Sequence, residues 1–357
     1  MNQSIKVNKE NNFAILHFLG ACLVVYGHQY ALLGGSAPGL LGNPVSTIGV
    51  KMIFVITGFL ITQSFLRSEN LSNFLIRRLI RIFPALIGCV LLSTVCFFFI
   101  SQVDLATYLR GAWIYIWHNI LLYPNYTLPG VFTENLYPNA VNGSLWTIPV
   151  EVFTYFVIGL SLYGLIRLKN ATNNQKAYII IYSIFVFFFV ALEAYKDVMN
   201  VSIRYVVWGT DWAKALDVMP YMMIGSLYSV ADLKKYCNLQ IACLILLASC
   251  CISCSNIELI NFIVIPYFTM SFALCEKPFF SGWFEKHNIA YGVFLWGFPI
   301  QQAIVYLFQI RTYHAWSPNI FFILSMIPTI IAACLSHRFI ENPIEGFLKR
   351  KLLFKKI

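Results

Sequence analysis

RLIRIFPALIGCVLLSTVCFFFIS, residues 78 to 101, places its two charges, Arg78 and Arg81, in the first four positions and then runs for twenty residues without another. Crossing the hydrocarbon core of a bilayer takes about 20 mostly apolar residues, because every backbone amide must be paired inside the helix where no water is available. Comparable stretches lie near 13–33, 45–66, 147–167, 177–195, 212–230, 238–256, 258–275, 287–310 and 318–340. Together they predict an all-α, polytopic integral membrane helical bundle of about ten transmembrane helices. Two further stretches, 105–122 and 201–210, carry interior charges or are short, and read as interfacial or re-entrant pieces. No soluble domain fits between the spans, so residues 1–357 read as one membrane domain with short tails at 1–12 and 344–357.

The composition agrees, with 59% hydrophobic and 11% charged residues where a soluble domain has roughly 25% charged. Lys and Arg accumulate on the cytoplasmic side of membrane proteins. With the N-terminus inside and ten spans, 19 of the 25 Lys and Arg residues fall in cytoplasmic segments, and the C-terminus is cytoplasmic too. This topology accounts for the net charge of +10, and no nucleic-acid partner is needed to explain it. The first apolar run is longer than the core of a signal peptide and reads as a retained helix. The cysteines fall mostly within spans, and the lone CxxC of Cys251 and Cys254 has no second pair or nearby His, so no metal is expected.

Ionisable side chains within spans are costly and mark candidate sites. His17 and His28 are eleven residues apart in the first span, which returns them to nearly one helix face about 16 Å apart along the axis. A histidine there suits general-base work at neutral pH, or serves only as a hydrogen-bonding link between helices. Arg78 and Arg81 share a face at the entrance of the third span, where two guanidinium forks can hold phosphate oxygens or simply obey the topology rule. Glu151 follows NGSLWTIPV at the start of the fourth span, with Lys51 as a candidate ion-pair mate. Arg338 and Glu341, three apart in HRFIENP, can pair on one face, and Pro343 ends or kinks their helix. Trp146, Tyr137 and Asn142 lie in an outer segment where rings and amides suit a sugar acceptor; a membrane-interface belt and turn chemistry explain them equally.

In order along nearly the whole chain, these segments resemble the membrane acyltransferase 3 family. The carriers are the His17 to His28 stretch, GVKMIFVITGFLIT at 49–62, RRLIRIFPAL at 77–86, NGSLWTIPVE at 142–151, YGVFLWGFP at 291–299 and RFIENP at 338–343. There are departures: His17 stands where the family usually has Arg, Lys51 where an acidic residue is frequent, Thr57 where Ser is usual, and Gly297 where a histidine is common.

The resemblance implies acyl transfer, most often of acetyl from acetyl-CoA approached from the cytoplasm. Arg78, Arg81 and His17 would bind the donor, and His28 with Glu151 would act catalytically. Lys51, Arg338 and Glu341 would support them, with Trp146 and Asn142 toward the acceptor. The acceptor implied is a hydroxyl of a surface polysaccharide or its lipid-linked precursor, such as lipopolysaccharide O-antigen, capsule or exopolysaccharide, at a bacterial inner membrane. Membrane lipid is the surrounding partner, and a homo-oligomer is compatible with the sequence. Relatives that carry a soluble esterase-like domain imply that such a partner, if needed here, would be a separate chain. Three rivals share these residues: a transporter or exporter using His28, Glu151 and Lys51 as a relay; an acyltransferase for an amine or small sugar; and a scaffold in glycan assembly.

Overall fold

A computed structural model describes residues 11–172, 174–199, 201, 205–252, 257–275, 284, 288–312 and 316–353. Cys254 of the CxxC, the first ten residues and the last four lie outside them. The helices are α1 (Phe13–Leu32), α2 (Val45–Ser68), α3 (Leu71–Phe98), α4 (Leu105–Ile120), α5 (Thr147–Thr172), α6 (Gln175–Val198), α7 (Trp212–Val230), α8 (Leu239–Cys250), α9 (Ile257–Ala273), α10 (Ala290–Leu307), α11 (Pro318–Ser336) and α12 (Asn342–Leu353). Each of the ten stretches expected to span holds one of them. Among the described residues, six helical runs are long and apolar enough to cross a membrane. The tail expected from residue 344 is helical through Leu353.

Five helix starts are fixed by side-chain caps: Asn70, Asp104, Asn174, Asp211 and Asn238 each accept a hydrogen bond from a backbone N–H in the first turn. Asp104 lies outside the spans, where the hydroxyl and N–H of Thr107 hold its carboxyl below the usual range. The bundle is apolar outward and mixed inward. On α6, Ile180, Ile184, Phe187 and Phe188 are exposed while Tyr182 and Glu193 are buried. On α11, Ile320, Ile323, Ile327 and Ile331 are exposed while Ser325 and Thr329 are buried. That pattern belongs to helices solvated by lipid, with polar groups confined to the interior.

Helix α2 is central, packed on α1, α3, α5, α7 and α9. It lies against α7 with almost no gap: a Cβ at Gly58 would strike the Met222 carbonyl, and one at Gly225 would strike that of Val55. Small residues of this kind let helix backbones meet in a bilayer. We call the side where α1 begins and α2 ends proximal, and the other side distal.

Four findings correct the sequence reading. First, α3 begins at Leu71, seven residues before the expected span, so Arg78 and Arg81 lie two to three turns inside a helix rather than at its mouth. Second, Lys51 does not pair with Glu151. It is wholly buried on the distal side, with Nζ 2.7 Å from Glu258 Oε1, 2.9 Å from Asp217 Oδ1 and 2.9 Å from Asn43 Oδ1. Tyr221 and Asn261 donate to Glu258 as well, so this cluster clamps α2, α7 and α9. Replacing Lys51 by Met strands both carboxylates and is expected to cost about 3–5 kcal/mol, read as a fall in the thermal midpoint in detergent. An unchanged midpoint would show that the clamp carries no stability.

Third, Arg338 and Glu341 do not pair. A π-helical turn over His337–Glu341 precedes Pro343, whose missing N–H cannot continue the α ladder. The turn leaves Arg338 exposed over the ring of Phe339, while Glu341 takes a hydrogen bond from Ser336 and faces His337. Fourth, part of 201–210 forms a two-residue β-hairpin, Val206–Val207 paired with Thr210–Asp211. Its Trp208 indole donates to the Leu121 carbonyl just past the end of α4, and near the start of α4 Tyr108 donates to Thr94 at the distal end of α3. Both ends of α4 therefore meet distal elements.

Candidate functional site

The site depends on a segment that looks like a loop and whose end, residues 140–146, is buried or half-buried throughout. Residues 123–146 descend from the distal side along α10. Gln302 Nε2 donates to the carbonyls of Tyr137 and Ala140 at 2.8 and 2.7 Å, and Asn135 Nδ2 donates back to Gln302. Lower down, Asn142 Nδ2 donates to the Leu295 carbonyl at 3.0 Å. These bonds satisfy a backbone that could not otherwise leave water. Helix α5 therefore starts deep in the bundle, and Glu151 in its second turn reaches a proximal level that the sequence reading placed near the outer face.

There it meets the other candidates. A cavity between α1, α2, α3, α5 and α10 is lined by His17, Thr57, Arg81, Glu151, Tyr155 and Tyr291, with apolar neighbours. His17 Nε2 is 3.4 Å from Thr57 Oγ1. Tyr155, one turn after Glu151, donates its hydroxyl to the Glu151 carboxylate, and Arg78 and Arg81 lie within electrostatic reach of that carboxylate. Arg78 Nη2 also reaches Ser64 Oγ at 3.4 Å, while Arg77 is exposed. Of the two guanidinium groups near Glu151, Arg81 lines the cavity and Arg78 does not, so Arg81 is the group placed to meet an anionic ligand there.

A second, polar hollow opens proximally beside it, lined by Arg81, Asn288, Tyr291, His337, Glu341 and Glu345. Arg81 and Tyr291 line both, so the hollow reads as a vestibule leading to the cavity. His28 does not line the cavity. It is half-buried in the distal half of α1, its ring edge-on to Phe298 at 5.3 Å, and its Nδ1 is shielded with no partner among the described residues. The structure therefore joins Glu151 to His17 and Arg81, and leaves His28 about 16 Å higher along α1. A Cβ at Gly297 would strike Val25, so its lack of a side chain is what lets α10 lie against α1 between those two levels.

Of the residues assigned toward an acceptor, Asn142 is 1% exposed and bound to α10, Trp146 is half-buried beneath Lys214, and Tyr137 is exposed. Sequence reasoning missed Tyr155 and Tyr291. The first had a signal, since it lies four residues after Glu151 and so on its face. The second opens YGVFLWGFP, where only its sharing both hollows with Arg81 gives it meaning.

Residues 12–338 match the family described as acyltransferase domain. An O-acetyl transferase of Shigella phage Sf6 is 27% identical over 354 residues, 94% of this chain and 96% of the phage protein. Nodulation protein 10 of Rhizobium leguminosarum bv. viciae is 30% identical over 180 residues, 45% of this chain and 46% of that protein. The peptidoglycan O-acetyltransferase OatA of Listeria monocytogenes is 25% identical over 345 residues, 84% of this chain and 52% of its own length. The chain thus matches about half the length of the last two. No solved structure matches it. The family match runs through every helix that lines the cavity, and the chain belongs to the membrane acyltransferase 3 family and is an acyltransferase.

Proposed function

We propose that the protein transfers acetyl from cytoplasmic acetyl-CoA to a hydroxyl of a surface polysaccharide or its lipid-linked precursor, as a single domain of ten crossings with both termini in the cytoplasm of a bacterium. The observation that carries this reading is the proximal vestibule leading past Arg81 to a cavity lined by His17, Arg81, Glu151, Tyr155 and Tyr291. The return of both ends of α4 to the distal side supports an even count of crossings. The names of the phage and Listeria relatives support O-acetylation.

Arg78 and Arg81 hold phosphate oxygens of the donor, with Glu151 and Tyr155 fixing the guanidinium groups and His17 lining the wall. The pantetheine arm spans the rise from His17 toward His28. There His28 takes the proton of the acceptor hydroxyl as its oxygen attacks the thioester carbonyl; the C–S bond breaks, and the coenzyme A thiolate leaves and is protonated.

The test is purified protein in liposomes with acetyl-CoA and candidate glycans, following free thiol and acetylated product by mass spectrometry. Thiol release matched by acetylated glycan supports the reading. Thiol release without any glycan product moves the acceptor elsewhere, and absence of both overturns acetyl transfer from this donor.

A further inference from the structure

Two polar atoms at the start of α10 are shielded from solvent and lack hydrogen-bond partners among the described residues: Asn288 Oδ1 and the Tyr291 hydroxyl. Asn288 lies just before the helix and Tyr291 in its first turn, and both line the vestibule. Tyr291 also lines the inner cavity and therefore stands at the passage between the two. Orphaned buried polar groups are rare and destabilising, and a pair of them at a constriction calls for a ligand.

The two atoms have opposite roles. Asn288 Oδ1 only accepts, and the Tyr291 hydroxyl has a proton to donate. A ligand that satisfies both offers an N–H and a carbonyl oxygen within a short span, which is the chemistry of a secondary amide. Resting on acetyl-CoA as the donor, we propose that Asn288 and Tyr291 hold a secondary amide of its pantetheine arm at the passage, Tyr291 donating to the amide oxygen and Asn288 accepting the amide N–H. Arg81, on the same passage, fixes the phosphate end of the same molecule. The pair sets how far the arm has advanced, and so where the thioester stops.

The experiment measures equilibrium binding of two probes to the full-length protein in detergent: coenzyme A, and adenosine 3′,5′-bisphosphate, which lacks the arm and its amides. Tyr291→Phe removes one oxygen and no packing volume, so its thermal midpoint should equal or exceed that of the wild type. It should weaken coenzyme A binding about tenfold and leave the bisphosphate unchanged. Asn288→Ala should give the same pattern. Wild-type affinity of Tyr291→Phe for coenzyme A overturns the amide contact while the donor reading stands. Equal weakening of both probes also overturns it, because the change then acts on the nucleotide end or the fold. If the wild type binds neither probe, the donor reading itself falls and takes the amide contact with it.

Discussion

His28→Ala is expected to lower acetyl transfer by about 100-fold or more while the protein inserts and folds as the wild type does. The structure makes that separation unusually clean. Among the described residues Nδ1 of His28 has no partner to lose, and the ring meets Phe298 edge-on, so truncation removes a modest packing contact and strands no polar group there. Turnover with saturating acetyl-CoA and the thermal midpoint, measured on the same preparation, form the check. A fall in the midpoint that tracks the loss of activity would make His28 a packing residue. Full turnover would move the proton acceptor elsewhere in the bundle.

Arg81→Ala should fail differently, in both fold and function. Arg81 lines the vestibule and the cavity and lies within electrostatic reach of Glu151. Its removal takes a charge-assisted phosphate contact worth roughly 1.5–3 kcal/mol from the donor, a rise of about tenfold or more in the KM for acetyl-CoA. It also leaves a buried carboxylate short of positive charge, at a cost of about 3–5 kcal/mol in stability. The double variant Arg81→Ala with Glu151→Gln tells the two losses apart: folded yield should recover and the KM should not. Recovery of both would mean that Arg81 serves Glu151 and never meets the donor.

Spans such as α3 beyond Arg81 were legible because a bilayer imposes one rule on every residue between its faces, and residues 82–101 obey it without a charge. The pairs His17 with His28 and Arg78 with Arg81 were legible, since spacing along one helix is arithmetic, whereas only the packing of the bundle puts His17 of α1 and Arg81 of α3 on one cavity. What failed was depth. Residues 123–146 hold Pro124, Pro129, Gly130 and Pro138, the usual marks of an exposed connection. Nothing local tells that Gln302, far along the chain, will accept and donate for them inside the bundle. Once that segment was taken as surface, Glu151 was placed too far out, and Lys51 became its nearest cation. The carboxylates that do hold Lys51, Asp217 and Glu258, come from two other helices, and only tertiary packing selects them. Gly297 shows the reverse case: a departure from the family pattern, standing where a histidine is common, is also a point of close helix contact.

The segment at 123–146 also bears on how the protein is made. Asn135 and its anchor Gln302 are 167 residues apart, which a ribosome adding about 5–20 residues per second needs roughly 10–30 s to cover. Throughout that interval the helices before α10 can be threaded into the bilayer and residues 125–130 can bond to Ser101, Gln102 and Asn119, yet the seats that Gln302 and Leu295 give residues 135–142 are missing. Assembly of the cavity is therefore a late event, finished only when α10 arrives. A nascent chain stalled before α10 would present residues 135–142 to proteases and chaperones without their bonds to α10.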